Sequence, residues 1–396
     1  MVERRPESAA PPEPAFVDVS ACPLCAAAPC PLDQPLGTYV GVFDRVITAR
    51  FAYCEACDFA FATAPLDAPS LARYYAAAAR YQRDLLTVEE ARHIGGQVRF
   101  VARYLGRQAS PRLLEVGADT GTFLATAVQE LGTVGYFDEL NPAGQRLLQA
   151  RGFRDVRDAG DDTRFDVVAL RHVLEHIVDP VAYLRQLRAR VAADGLVFVE
   201  VPDYTNRSLG QADPFQLEHV NYFSLRALET TARRAGYVLV ASEITRTPGY
   251  STTPNLVLRA ALRPAPAAAD GERGTGTWPG LMAATLRDYQ AIDAFIAAHP
   301  GCRFAFYGAG AKTVEYLTNA TAVPAMFLLF DGDPQKIGQH LGGMEIRDPT
   351  ALASDAFDYV FIMVVGYERE VLELLRSKSV EESKLVFLAS SGRMRR

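Results

Sequence analysis

The run Leu113-Leu-Glu-Val-Gly-Ala-Asp-Thr-Gly-Thr-Phe-Leu124 decides how the rest of the chain is read. Its β-favouring start ends at Val116 and turns through Gly117, Asp119 and Gly121 into a segment with Phe123, Leu124, Ala127 and Val128 at helical spacing. That is a strand, a tight turn and a helix start. Two glycines let the backbone approach a ligand closely, and the first N–H groups of a helix have no partner within it. The carboxylates of Glu115 and Asp119 flank the turn and disfavour phosphate there.

A positively charged ligand with an amino group and ribose hydroxyls suits such a turn better, which points to S-adenosylmethionine rather than ATP or NAD. An ordinary tight turn in an α/β sheet would read the same way in isolation. The following residues separate the two. Thr133-Val-Gly-Tyr-Phe-Asp138-Glu139 reads as a second strand ending in acids, where a dinucleotide-type fold sets a carboxylate on ribose hydroxyls. Phe165-Asp-Val-Val-Ala-Leu170 is a continuous apolar run, as expected of a buried parallel strand, and it leads into His172-Val-Leu-Glu175-His176.

With Gly195-Leu-Val-Phe-Val-Glu-Val-Pro202 as the fifth strand, the chain resembles class I S-adenosylmethionine-dependent methyltransferases over about residues 106–262. It departs from them at Asp119, where that family usually has a glycine. The resemblance implies a cofactor-binding set of Glu115, Gly117, Asp119, Gly121, Asp138, Glu139, Asp158 and His172, with the ribose falling to Asp138 or Glu139.

At 396 residues and 49% hydrophobic, the chain can bury two or three cores, so several domains are expected. A net charge of −6 without a basic stripe argues against nucleic acid or an anionic membrane as partner. The apolar runs have strand length rather than membrane length, and Met1-Val-Glu-Arg-Arg-Pro is not a secretion signal, so a cytoplasmic location is expected.

Cys22-Pro-Leu-Cys25 and Cys54-Glu-Ala-Cys57 are two Cys-x-x-Cys knuckles around the strand-like Arg45–Tyr53. Four thiolates so arranged close a tetrahedral shell around Zn²⁺ and leave no position for activated water, so the expected zinc is structural. A redox dithiol is the competing reading; it would call for a knuckle at a helix start. Cys30 lies nearby and could enter the ligand count, while Cys302 reads as a small buried side chain.

The expected fold is α/β, with residues 1–17 a disordered tail, 18–66 a zinc-binding module, and 67–105 a helical connector carrying Tyr74, Tyr75 and Tyr81. Residues 106–263 form a seven-stranded Rossmann-like methyltransferase domain, 264–280 a Pro- and Gly-rich linker, and 281–396 a smaller Rossmann-like domain. Core helices are expected near 121–131, 142–151 and 179–193, and strands near 112–117, 133–138, 165–170 and 195–201. Tyr237–Ile244 and Asn255–Ala261 are joined by a link too short for a helical crossover, so the last pair is antiparallel. In the C-terminal part, strands near 303–307, 326–331 and 359–365 surround Gly308-Ala-Gly310-Ala-Lys312, where Lys312 suits a phosphate.

Between the fifth strand and Ser224 runs a long connection containing Phe215-Gln-Leu-Glu218-His219-Val-Asn-Tyr222-Phe-Ser. Long loops at strand ends often carry chemistry, and a His beside a Glu can act as an acid–base unit near neutral pH. Its alternative is to pin the loop against the next helix.

Knuckles, methyltransferase core and C-terminal glycine turn together resemble the sugar C-methyltransferases of deoxysugar and antibiotic biosynthesis. That resemblance implies a nucleotide-diphosphate keto sugar as substrate, His219 as the base, Glu218 beside it, and Tyr81 and Tyr222 in the site; His172, at the end of the fourth strand, is expected to face the same pocket and bond the ketone oxygen. It also implies that the C-terminal domain, with Gly308, Gly310 and Lys312, walls the sugar-nucleotide site. Gln216 stands where the family carries tyrosine. The alternatives are an O- or N-methyltransferase on another small molecule, or a non-catalytic zinc-bearing binding protein. A monomer or small homo-oligomer is expected.

Overall fold

The computed structural model describes residues 13–32, 36–43, 45–77, 87–106, 109–203, 217–247, 256–265, 289–310, 313, 316–317, 320, 327–334, 336–341, 344–352, 356–364 and 368–387. Tyr81, Gln216, Lys312, residues 1–12 of the expected tail and 266–280 of the expected linker lie outside them.

The central sheet has seven strands: β1 (Arg112–Val116), β2 (Val134–Asp138), β3 (Arg154–Asp155), β4 (Phe165–Arg171), β5 (Val191–Pro202), β6 (Tyr237–Arg246) and β7 (Leu256–Pro264). Their order across the sheet is β3-β2-β1-β4-β5-β7-β6. Strands β1 to β5 pair in parallel, and β7 runs antiparallel to both β5 and β6, as the short β6–β7 link requires. The order reverses beside β1, so a crevice opens at the C-terminal ends of β1 and β4.

Alternate side chains of each strand feed two cores. Leu114, Leu170 and Val199 pack with Leu184 and Leu228 on one face; Leu113, Val167 and Phe198 pack with Val98, Phe123 and Leu124 on the other. Helix α2 (Val88–Tyr104) starts at a capping box, in which Thr87 Oγ1 accepts the Glu90 N–H and the Glu90 carboxylate accepts the Thr87 N–H. Helices α3 (Thr122–Leu131) and α4 (Pro142–Ala150) follow β1 and β2; the latter has Asn141 as its cap and Pro142 in its first turn. The expected helix over 179–193 is shorter: α5 spans Pro180–Leu187, a 3₁₀ turn takes Arg188–Arg190, and β5 begins at Val191.

A four-stranded N-terminal sheet runs Cys30–Pro31, Phe51–Cys54, Phe59–Ala62 and Asn221–Phe223 in that order. The expected strand 45–53 is divided: Arg45–Ala49 pairs separately with Leu36–Val40, and a new strand starts at Phe51. The end of the expected tail is ordered, with Val17 N–H on the Pro65 carbonyl and Asp67 N–H on the Ala15 carbonyl. Backbone pairing of this kind needs no side-chain periodicity, which is all that the composition of residues 13–17 could report.

The C-terminal sheet is centred on Phe304–Tyr307, in parallel with Phe327–Phe330 and Tyr359–Ile362, and extends to Met344–Arg347 and Leu385–Phe387 on its flanks. Cys302 is half-buried at the edge of its core. Among the described residues no helix is long and apolar enough to cross a membrane.

Candidate active site

The glycine turn has the backbone its sequence demands. Gly117 (φ 65°), Asp119 (φ 49°) and Gly121 (φ 75°) are all left-handed, and a Cβ at Gly121 would stand 2.4 Å from Leu148 Cδ2. The Gly117 N–H donates to the Asp138 carbonyl at 2.7 Å, which ties the turn to the end of β2. Glu139 closes the other side: its carboxylate accepts the Asp119 N–H at 3.1 Å and the Asn141 N–H at 2.8 Å. Asp138 is exposed and within electrostatic reach of Asp155 and Arg157 instead. Asp158 is exposed in the 3₁₀ turn after β3.

Glu115 is fully buried, and its Oε1 accepts Arg171 Nη1 at 2.7 Å while Oε2 has no hydrogen-bond partner. Burial pushes its carboxyl up to about 7 against the opposing pull of Arg171. An orphaned carboxylate oxygen under a left-handed glycine turn fits a ligand that brings a cationic amino group. Glu115 thus suits such a group in charge.

The turn after β4 sits against this one. A Cβ on Gly117 would meet Val173 Cγ2 at 2.9 Å, so His172–His176 lies beside the cofactor turn. His172 has φ of 52°, uncommon for a residue with a side chain, and its N–H donates to the Glu200 carbonyl. Both its ring nitrogens face carboxylates, Nδ1 that of Glu175 at 3.1 Å and Nε2 that of Glu200 at 3.4 Å. Burial opposes protonation of the ring, yet Glu175 and Glu200 outweigh it and raise its pKa to about 9. Behind it, buried Glu200 also receives Gln97 Nε2 and Arg259 Nε, with His93 Nε2 at 3.2 Å.

His219 arrives at the same end from the other direction. The Val220 N–H donates to the Glu175 carbonyl at 2.8 Å, and the His219 ring stands edge-on to His176 with centroids 4.9 Å apart. His176 Nδ1 lies 2.7 Å from the Glu218 carbonyl, which can only accept, so this nitrogen carries the proton. The Tyr75 hydroxyl is 2.9 Å from the same nitrogen, and the Tyr74 hydroxyl donates to Glu218 Oε2 at 3.1 Å. Both tyrosines come from α1 (Ala68–Ala77). Tyr222 is fully buried, its ring edge-on to Phe51 at 5.5 Å, a packing position in the N-terminal sheet.

The four expected zinc ligands converge. One sulfur from each of Cys22, Cys25, Cys54 and Cys57 lies within 4.8 Å of the others, and Cys30 is outside the group. A tetrahedral site with Zn–S near 2.3 Å needs sulfurs about 3.8 Å apart, which this cluster admits with little movement. In the C-terminal unit, Gly308 (φ 111°) donates its N–H to the Phe330 carbonyl, and the Ala309 N–H is taken by Asp331, which also holds Lys336; Gly310 is half-buried at the turn.

Glu175 and the α2–β5–β7 network of His93, Gln97, Glu200 and Arg259 were not expected as part of the site. A buried acid inside the apolar run Gly195–Pro202 was the one signal that could have marked Glu200.

The family model of a methyltransferase domain matches residues 82–242. Among solved structures the chain is similar to the Burkholderia thailandensis 1,6-didemethyltoxoflavin N1-methyltransferase with bound S-adenosylhomocysteine, at 21% identity over 54% of this chain and 96% of that one, TM-score 0.39. It is also similar to the mitomycin 7-O-methyltransferase MmcR, at 19% over 44% and 53% with TM-score 0.35, and to the CcbJ methyltransferase of Streptomyces caelestis, at 16% over 43% and 89% with TM-score 0.34. Scores this low give the alignments no weight for substrate or residue roles. No curated protein matches the chain. Residues 82–242 match a methyltransferase domain, and on that match the chain is a methyltransferase.

Proposed function

We propose that the enzyme transfers a methyl group to carbon, on a keto sugar linked to a nucleoside diphosphate, with His219 as the base. One observation carries the reading: the His219 ring stands edge-on to His176, in the turn that packs against Gly117, so an imidazole stands beside the cofactor crevice. S-adenosylmethionine, when bound, supplies an electrophilic methyl on a sulfonium. A proton next to a ketone is acidic enough for a positioned imidazole, and the resulting enolate carbon is the nucleophile. Glu115 and the Gly117–Gly121 turn hold the amino end of the cofactor, and Glu139 is the better-placed acid for the ribose because it already reaches across the turn. Tyr74 and Tyr75 line the acceptor side, where their hydroxyls meet Glu218 and His176.

Zinc at Cys22, Cys25, Cys54 and Cys57 is part of the proposal, in a structural role. With four protein sulfurs there is no open position for chemistry. A nucleotide wall formed by the C-terminal unit, with Lys312 on the diphosphate, rests on the resemblance alone.

The test is incubation with methyl-labelled S-adenosylmethionine and a panel of nucleotide-linked keto sugars. Label recovered on carbon supports the reading. Products methylated only at oxygen or nitrogen contradict it.

A further inference from the structure

Two carboxylates stand near the His219 ring, and they differ in what they already hold. Glu218 is its chain neighbour, with Oε2 accepting the Tyr74 hydroxyl. Glu175 is fully buried; its Oε1 faces His172 Nδ1, and its Oε2 has no hydrogen-bond partner. One Glu175 oxygen and ring nitrogens of His176 and His219 all lie within 4.8 Å of one another. A buried carboxylate oxygen is costly to leave unpaired, and a protonated imidazole within reach would pair it. His176 does not supply it from Nδ1, which is turned to the Glu218 carbonyl.

We propose that Glu175, rather than Glu218, is the carboxylate that orients His219 and receives its N–H after proton uptake. The proposal rests on the reading of His219 as the base. In the step, the proton passes from the acceptor carbon to a His219 nitrogen. The C–H electron pair stays on the acceptor and forms the bond to the methyl, and the S–CH₃ pair leaves with sulfur. Glu175 gains a charge-assisted hydrogen bond and exchanges no proton.

His172 is the positioning residue behind it. A cationic ring between Glu175 and Glu200 holds Oε1 in place, and Oε2 is the oxygen left without a partner. Among the described residues, the groups near His219 include Glu175 and His176 from the turn after β4, Glu218 beside it in the chain, and Tyr74 and Tyr75 of α1 through Glu218 and His176. His172 and Glu200 act on it through Glu175.

The test needs no acceptor. In the full-length protein saturated with S-adenosylhomocysteine, ring-labelled histidines are titrated by NMR, and His219 is assigned by its loss in His219→Asn. An opposite charge at this range shifts a pKa by about 1–3 units, so Glu175→Gln lowers the His219 value by about one unit or more, and Glu218→Gln by much less. No change in Glu175→Gln, or a larger change in Glu218→Gln, overturns the proposal. Should Glu175→Gln fail to bind S-adenosylhomocysteine, the unsubstituted protein serves: the ¹³C-labelled Glu175 carboxyl inflects at the pH where His219 titrates, and a flat response overturns the proposal. A second metal equivalent, beyond the four-cysteine site and lost in His219→Asn, would also overturn it, by making these three residues ligands. The two readings fail separately. Methylation on oxygen or nitrogen sinks the acceptor assignment while leaving this titration standing, and carbon methylation with a His219 value indifferent to Glu175 sinks only this one.

Discussion

The turn from Val116 to Thr122 and the residues around His219 meet at one end of the central sheet, but they are assembled differently. The cofactor side comes from one continuous stretch, β1 to Asn141, and is shaped by backbone conformation and by hydrogen bonds between neighbours in the sheet. The proposed acceptor side draws Tyr74 and Tyr75 from α1, His172 to His176 from the end of β4, and Glu218 and His219 from the connection before α6 (Leu225–Arg234). It is also joined to the thiol cluster. Asn221–Phe223 completes the N-terminal sheet against Phe59–Phe61, Ser224 Oγ donates to the Asp58 carbonyl, and Arg226 reaches the Ala56 carbonyl inside the second knuckle. Local damage should therefore disable cofactor binding, whereas the acceptor side should fail from afar.

The largest expected effect separates the two sides. His219→Asn should lower kcat by about 10²–10⁴-fold, the range of a general base, with cofactor affinity by calorimetry unchanged. A matching loss of cofactor affinity would merge the two regions. Gly121→Val is the converse, since its Cβ would stand 2.4 Å from Leu148 at a left-handed φ; cofactor affinity should fall at least tenfold, with the His219 titration preserved.

Third comes removal of the proposed zinc, by chelation or by Cys57→Ser. Amide exchange at Asn221–Phe223 should rise about tenfold or more, and kcat should fall, while exchange at Leu113–Val116 stays slow. Unchanged exchange at Asn221–Phe223 would cut the proposed link between thiol cluster and acceptor side.

The smallest effect is a proton. Glu115 is raised to about 7 in the fold, so the stability it contributes is present below about 4.5 and is lost as pH rises through 7. A cationic amino group beside it reverses the preference. Cofactor binding at pH 6.5 should then release a sizeable fraction of a proton, read by calorimetry in buffers of different ionisation enthalpy and absent in Glu115→Gln.

The same contrast explains what the sequence disclosed. The β1 turn, the acids after β2 and the antiparallel β6–β7 pair were legible because each is a local pattern of period, glycine and charge. Arg154–Asp155 was too short to announce itself as a strand, and Val191–Asp194 reads as a helix end until it extends β5. The pairing of Asn221–Phe223 with Phe59–Phe61 leaves no periodic trace, since Ser224 and Asp58 are 166 residues apart. Glu175 was visible only as a letter between two histidines; that it is buried with one oxygen unpaired is a property of packing.

The central claim is that His219 removes a carbon-bound proton. With S-adenosylhomocysteine in place of the donor and a thymidine diphosphate-linked 4-keto sugar in deuterium oxide, transfer is blocked and only proton exchange remains. Deuterium should enter at the carbon next to the ketone with the unsubstituted enzyme and not with His219→Asn. Exchange that is absent, or equally fast in the variant, would contradict the account.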